Sequence, residues 1–413
     1  MHMLAGQSAR LVIQAVYFVL MARTLGPHQY GAFVAVTAAA AIVSPFVGNG
    51  SGILMIKNVA HDRGLFAEYW GNALFMTFAS GAALTAGVAI ACLALLPKSI
   101  PPAVVIMVVI SEVLVARFVE VATWAFQAVE MLVWTAYLNV LATLARLAGI
   151  VIIIVLHRPT LEAWSVTYLA GWIVCGIVAT GCVLWRLGKP RLALYRIPGE
   201  LREGFYLSSG LGAQTVYNDI DKTMLARLGS LGATGIYAAA YRLIDVAFIP
   251  VRSLLAAAYP GFFRNGHRGI ASSLAYAKKL LPRALAYSAV VAVGLFVAAP
   301  LVPKVLGVEY ARTTEALRWL ALLPFLKSMH YFVADSLTGA GYQGLRTLVQ
   351  VLVALFNVLI NLWIIPAYSW RGAAWSSLAS DGLLGASLWG CAAFLRSRSR
   401  ALMQPTEIAA EIC

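Results

Sequence analysis

Charge is what this sequence has least of. Only 12% of its 413 residues are Asp, Glu, Lys or Arg, against about 25% in soluble domains, while 61% are hydrophobic and the mean hydropathy is +0.81. Also missing are the patterned side chains on which most metal and redox sites depend. Of five cysteines, Cys92, Cys175, Cys182 and Cys391 lie inside apolar runs and Cys413 ends the chain; there is no CxxC spacing, so they read as small buried hydrophobes. The six histidines are scattered and make no HExxH-like pair, so no metal site and no cofactor are expected. No GxxxxGK[ST] loop occurs, which excludes a built-in ATP motor; Gly188-Lys189 runs into Pro190 and reads as a basic loop. A cleavable signal peptide is not expected either, because Arg10 interrupts the first apolar segment and no small-residue cleavage site follows.

Long apolar runs, by contrast, fill almost the whole chain. A crossing helix needs about 20 such residues, and alternating strands of the outer-membrane type are absent. The expected fold is therefore an all-α polytopic membrane protein with twelve spans, at about 4–24, 31–56, 71–96, 103–127, 133–156, 164–185, 204–226, 234–258, 280–302, 316–338, 345–366 and 373–395. The connections are too short for a folded extramembrane domain. With the N-terminus inside, the cytoplasmic loops and tail hold 16 Lys and Arg and the outer loops 7, which places both termini in the cytoplasm of a cell inner membrane. Much of the formal charge of +14 is then flanking charge drawn to anionic membrane lipid; no nucleic-acid binding is expected.

The sequence repeats itself at an offset of 204. ARTLGPHQYGAFVAV (22–36) aligns with ARLGSLGATGIYAAA (226–240), matching Arg23 to Arg227, Gly31 to Gly235, Phe33 to Tyr237 and Ala35 to Ala239. The chain therefore reads as two six-helix halves, 1–195 and 196–413, in parallel orientation. Arg10, Gln14 and Tyr17 share one face of the first helix, and the offset carries them onto Gln214, Asn218 and Asp221 of the seventh. Two equivalent polar stripes predict one central cleft lined by both. Pro45 and Pro250 stand at nearly equivalent depths, where each is expected to kink its span and act as a gate.

Fifteen charges fall within the expected spans. If all faced lipid, at about 3 kcal/mol each they would cost roughly 45 kcal/mol, several times a typical net stability. They must face protein or water. The densest stretch runs from Tyr217 to Arg264 and carries Asp219, Asp221, Lys222, Arg242, Asp245 and Arg252. Tyr241, Arg242, Asp245 and Arg252 share one face of the eighth span; Arg242 and Asp245 are spaced to pair (i,i+3), whereas Arg252 has no local partner. Unpaired cations there suit an anion, phosphate above all, which arginine grips bidentately. In the fourth span Arg117 and Glu120 are also i,i+3, while Glu112 lacks a local partner. An isolated carboxylate of this kind suits proton or sodium coupling, and Glu112, Asp219, Asp221 and Asp245 are the candidates; structural pairing is the competing reading for each. Tyr217 and Tyr241 are the aromatic residues placed to stack on a sugar.

The segments ARTLGPHQYGAF, NDIDKTMLARLGSLGATGIYAAAYRLID, LAAAYPGFFR, FNVLINLWIIP (356–366) and GAAWSSLASD (372–381), taken in order, resemble one group. This group is the O-antigen and polysaccharide-biosynthesis flippase branch of the multidrug/oligosaccharidyl-lipid/polysaccharide exporter superfamily. The resemblance implies two six-helix bundles around a V-shaped central cavity and a polyprenyl-pyrophosphate-linked oligosaccharide as substrate. It also implies a cation-lined cavity, with Arg10, Lys222, Arg242 and Arg252 on the pyrophosphate, and coupling to a proton or sodium gradient. Gln14, Asn218 and Tyr241 complete the expected substrate-binding set. The N-terminus is short for the group, and twelve spans fit the lipid II branch less well.

The expected function is thus a flippase working by alternating access, without covalent chemistry. Two rivals stand beside it: a cation-coupled multidrug exporter of the same superfamily and a membrane-embedded glycan ligase or polymerase. The eight basic residues within the spans against seven acids lean against the first, and short outer loops without histidine lean against the second. The sequence leaves open the glycan, the coupling ion, and whether a polysaccharide polymerase and chain-length regulator work beside the protein.

Overall fold

Helix is the only regular structure open to such a chain, because inside a bilayer every backbone N–H and C=O must find a partner within the protein. The computed structural model describes the backbone of residues 2–410, and side chains from 12 to 398 apart from 206, 207, 210, 211, 213 and 214. The described residues contain no strand. The α-helices are α1 (His2–Val43), α2 (Ser51–His61), α3 (Phe66–Leu95), α4 (Pro102–Val109), α5 (Ala116–Ala128), α6 (Leu132–Val155), α7 (Leu161–Leu187) and α8 (Ile197–Leu228). They continue with α9 (Leu231–Ala247), α10 (Ile249–Gly266), α11 (Ile270–Ala298), α12 (Val302–Leu306), α13 (Thr313–Leu320), α14 (Leu323–Gly339), α15 (Gln343–Tyr368) and α16 (Trp370–Ala410).

Seven helical runs among the described residues are long and apolar enough to cross a membrane, and the α9–α10 pair, bent by 49°, makes an eighth if it is one crossing. The difference from the expected twelve has physical causes. The first two expected spans meet inside α1, which continues through a break at Gly26 (φ 67°) with Pro27 opening the next helical segment. The fourth is divided by a π-helical turn at Ile110–Val115, α8 is too polar along its length, and α13 (8 residues) and α14 (17 residues) are too short to cross alone. Both expected proline kinks are present. Pro45 opens a 3₁₀ segment, Ser44–Gly50, whose Val47, Gly48 and Asn49 leave helical geometry; Pro250 lies in the first turn of α10, just past the 49° bend.

Packing divides the chain into two units, Met1–Gly235 with Val305–Tyr310 and Ile236–Lys304 with Ala311–Cys413. The bounds differ from the expected halves 1–195 and 196–413 in that α8 belongs to the first unit, packed against α1. Small residues permit the tightest approaches, as expected where lipid supplies no hydrophobic drive between helices. A Cβ on Gly204 of α8 would sit 1.7 Å from the Asn49 carbonyl oxygen, so only glycine allows α8 to lie on the 3₁₀ segment. The first unit has a core of Trp70, Ala122, Phe126, Ala179 and their neighbours. In the second unit, α14 is central and packs on α10, α11, α15 and α16. Its neighbours α15 and α16 are pinned by buried amides: Asn361 donates to Asn357 (2.9 Å), Asn357 to Ser380 (2.9 Å), and the Ser376 hydroxyl to Asn361 (2.5 Å).

Candidate functional site

In the second unit one buried cation stands over Tyr241 of α9. The Tyr237 and Tyr241 rings lie 5.0 Å apart, and the Tyr237 hydroxyl meets that of Ser377 on α16 at 2.8 Å. Over the Tyr241 ring, at 5.1 Å, stands the ammonium of Lys327 from α14, a lysine only 3% exposed. A ring face attracts a cation but does not neutralise it, and Lys327 has no carboxylate partner among the described residues. The expected i,i+3 pairing of Arg242 with Asp245 is not what forms. Asp245 instead accepts from Arg252 at 2.7 Å, because the bend between α9 and α10 folds Arg252 back towards it. Arg252, expected to be unpartnered, is thus paired, and half-buried Arg242 makes no ion pair among the described residues.

The first unit holds a different arrangement. The π-helical turn widens the backbone around Glu112, and turns of this kind are frequent at functional sites. Expected to lack a partner, Glu112 accepts a hydrogen bond from the Tyr168 hydroxyl of α7. Arg117 donates to the Glu120 carboxylate at 2.5 Å, the pairing its spacing predicts, and to the Glu112 carbonyl at 3.2 Å. Glu112, Arg117 and Glu120 line a cavity of about 300 Å³ together with Ser44, Pro45 and Thr215. Two carboxylates face one guanidinium there. The cavity is at the small end for ligand pockets, so it suits a cation or a sugar ring rather than a large molecule.

The polar stripes are placed in part. The side chain of Arg10, like that of Gln214, lies outside the described residues; Gln14 is half-buried. Tyr17 is buried against Trp164, with the Arg146 guanidinium 5.9 Å from its ring centre. On α8 the expected free cation is paired: Lys222 donates to Asp219 at 2.5 Å and to the Asn218 carbonyl at 2.9 Å. Asp221 is 2% exposed and accepts from the Lys222 backbone N–H. Tyr217 and Tyr241 are both buried, and Tyr241 is the one with a cation over its ring.

Lys327 is one of the eight basic residues within the expected spans, and no local pattern assigns it to a site. The available signal was a lysine in an apolar helix whose first acid, Asp335, is two turns away. His330 was passed over entirely. It is 3% exposed and 2.8 Å from Asp381 of α16, a partner 51 residues away that no local pattern reveals.

Residues 2–265 match the model of a family described as polysaccharide biosynthesis protein. The chain belongs to that family. Among solved structures, the fold of this family member is similar to a multidrug resistance MATE family transporter of the MOP superfamily in an inward-facing conformation, with 14% identity over 95% of this chain and 96% of that one and a TM-score of 0.73. It is similar also to the lipid II flippase MurJ in an inward closed conformation, with 10% identity over 93% and 86% of the two chains and a TM-score of 0.68. A third similar structure is a MOP superfamily transporter from Pyrococcus furiosus, described as having a binding pocket of reverse polarity, with 14% identity, 95% of each chain covered and a TM-score of 0.64. No curated protein matches the sequence. The chain is thus a multi-pass membrane protein with the fold of MOP superfamily transporters.

Proposed function

We propose that this family member is a flippase for a polyprenyl-pyrophosphate-linked oligosaccharide, working by alternating access in the cytoplasmic membrane with both termini inside. The observation that carries the reading is Lys327 over the Tyr241 ring, with Arg242 the next residue along α9. Lys327 is buried and Arg242 half-buried, and neither has a carboxylate partner among the described residues. Charges in a membrane core are expensive unless something compensates them, and a pyrophosphate brings the compensating charge. Arg242 grips it as a fork and Lys327 as a point charge. No bond of the substrate is made or broken, and the lipid tail stays in the bilayer. Movement follows if the loaded carrier favours one conformation more than the empty one does. Arg252 and Lys222, whose charges are already balanced, serve this reading less well than Arg242 and Lys327.

The test is transfer of a polyprenyl-pyrophosphate oligosaccharide between leaflets of proteoliposomes by the wild type, Arg242→Ala and Lys327→Met. Transfer lost in both variants, with elution and thermal unfolding unchanged for Arg242→Ala, supports the site. Transfer equal to the wild type removes it.

One observation favours a second reading. The first unit's cavity holds Glu112 and Glu120 against Arg117, an excess of acid suited to an organic cation. A wild type that moves organic cations and ignores the lipid-linked glycan makes the protein a multidrug exporter instead.

A further inference from the structure

We propose that His330 and Asp381 form a proton-binding site in the core of the second unit, linked to anion binding at Lys327. The linkage rests on the substrate reading above; the proton site does not. Of the five histidines whose side chains are described, His28, His61, His157 and His267 are exposed and only His330 is buried. It stands on α14 with Nε2 at 2.8 Å from Asp381 Oδ1 on α16, and the two residues are 3% and 2% exposed. A buried acid facing a buried imidazole is a costly choice for a mere helix pin. The neighbouring α15–α16 contact is pinned with neutral asparagine and serine instead.

The geometry allows the proton to come and go without breaking the pair. With Nε2–H donating to the Asp381 carboxylate, neutral histidine and imidazolium make the same hydrogen bond; they differ only in the proton at Nδ1. The exchanged proton therefore changes the charge of the core and leaves the α14–α16 link in place. What changes is the electrostatic balance with the surroundings. Lys327 is one turn before His330 on α14, a spacing at which helical side chains are neighbours. With Asp381 ionised and His330 neutral, the pair carries one negative charge that offsets the unpartnered Lys327 only in part. One proton on His330 removes that offset, and an anion at Lys327 then takes its place. Each ligand thereby favours the other, and by linkage the effect is reciprocal.

Most other charged groups on the packed elements are paired or exposed; on α10 Arg252 bonds Asp245 and Arg264 is exposed. On α14 itself Asp335 pairs with Arg346 of α15 at 3.3 Å, and Tyr259 of α10 lies within the field of that pair. From α11, Ser288 bonds Ser328 at 2.7 Å and Tyr287 donates to the Ala247 carbonyl, while Lys278, Lys279 and Arg283 are exposed. On α13, Glu315 pairs with Arg371 of α16 at 2.9 Å, and Arg318 lies over the Phe296 ring at 5.2 Å. From α9, Tyr237 bonds Ser377 and Tyr241 lies under Lys327. The His330 ring itself rests 4.6 Å from that of Tyr331.

The experiment uses the full chain in lipid nanodiscs with ¹⁵N-labelled imidazoles and with His2, His28, His61, His157 and His267 replaced by Gln, so that His330 alone reports. The expected result is a ring-nitrogen resonance that changes from the neutral to the doubly protonated form as the pH is lowered. Saturating inorganic pyrophosphate should raise its midpoint by roughly 0.7–2 pH units, equivalent to a 5–150-fold coupling, and should fail to do so in Lys327→Met. If the multiple variant does not fold, the wild-type spectrum minus that of His330→Gln gives the same signal. A resonance that keeps one protonation state throughout overturns the proton site. A midpoint unmoved by pyrophosphate overturns the linkage, whereas the flippase reading stands or falls on the transfer assay.

Discussion

Gly31 and Gly235, 204 residues apart, close on each other's helix in a reciprocal way. A Cβ on Gly31 would lie 1.8 Å from the Leu231 carbonyl oxygen, and one on Gly235 would lie 1.9 Å from that of Pro27. Leu231 and Pro27 are also 204 residues apart, so the repeat matches the two glycines and the carbonyls they meet. Both contacts lie within the first unit. Gly31→Ala and Gly235→Ala should each force the helices apart and cost about 1–3 kcal/mol, the usual penalty of overpacking. A fall in the unfolding temperature of detergent-solubilised protein, larger for Val than for Ala, is the expected measurement.

Arg252 and Arg242, on the two sides of the 49° bend, should separate structure from function. Arg252→Ala leaves Asp245 without the guanidinium that now bonds it at 2.7 Å, whereas Arg242→Ala breaks no ion pair among the described residues. The Arg252–Asp245 pair is half-exposed, so its loss should lower stability by no more than about 1 kcal/mol. Leaflet transfer of the lipid-linked glycan should fall at least tenfold in Arg242→Ala with its unfolding temperature unchanged. Loss of transfer in Arg252→Ala alone would reverse the assignment.

Tyr168→Phe tests whether the Glu112 carboxylate needs its hydroxyl. The phenol of Tyr168 donates to Glu112 from a residue only 4% exposed, and removing a hydrogen bond to a charged group costs about 1.5–3 kcal/mol. The expected outcome is a variant of lower thermal stability, with Glu112→Gln, which keeps an acceptor, closer to the wild type. An unchanged unfolding temperature in Tyr168→Phe would mean that water or another donor serves Glu112 equally well.

Glu200, before the apolar part of α8, gives a pH signature. It is 6% exposed and accepts from the Asn72 amide at 2.9 Å; burial is the largest influence on its carboxyl and raises it above the ordinary value of 4.5, while the Asn72 bond opposes the rise. A folded carboxyl that holds its proton more tightly than the unfolded one stabilises the fold at low pH, and this contribution disappears as pH climbs through the raised value. Glu200→Gln should therefore match the wild type at acid pH and exceed its unfolding temperature progressively above the ordinary carboxylate range. Parallel melting curves across all pH values would show that Glu200 does not titrate differently on folding.

Much of this could be read from residues alone. Hydropathy sufficed for the all-helical membrane fold, because a bilayer leaves the backbone no alternative. Local spacing found the Arg117–Glu120 pair, since i,i+3 residues on a helix are neighbours whatever surrounds them. The same rule failed at Arg242 and Asp245, where the bend offered Asp245 a different arginine from the next helix. It was silent about Tyr168 and Glu112, 56 residues apart, and about His330 and Asp381, 51 apart.

The division is a physical one. Features that depend on one helix at a time were legible in the residues: that the chain lives in a membrane, and that its helices break near Pro45 and Pro250. Which charges are neutralised was not. Neutralisation depends on contacts between helices distant in sequence, and these balance Lys222 and Arg252 while leaving Lys327 over the ring of Tyr241.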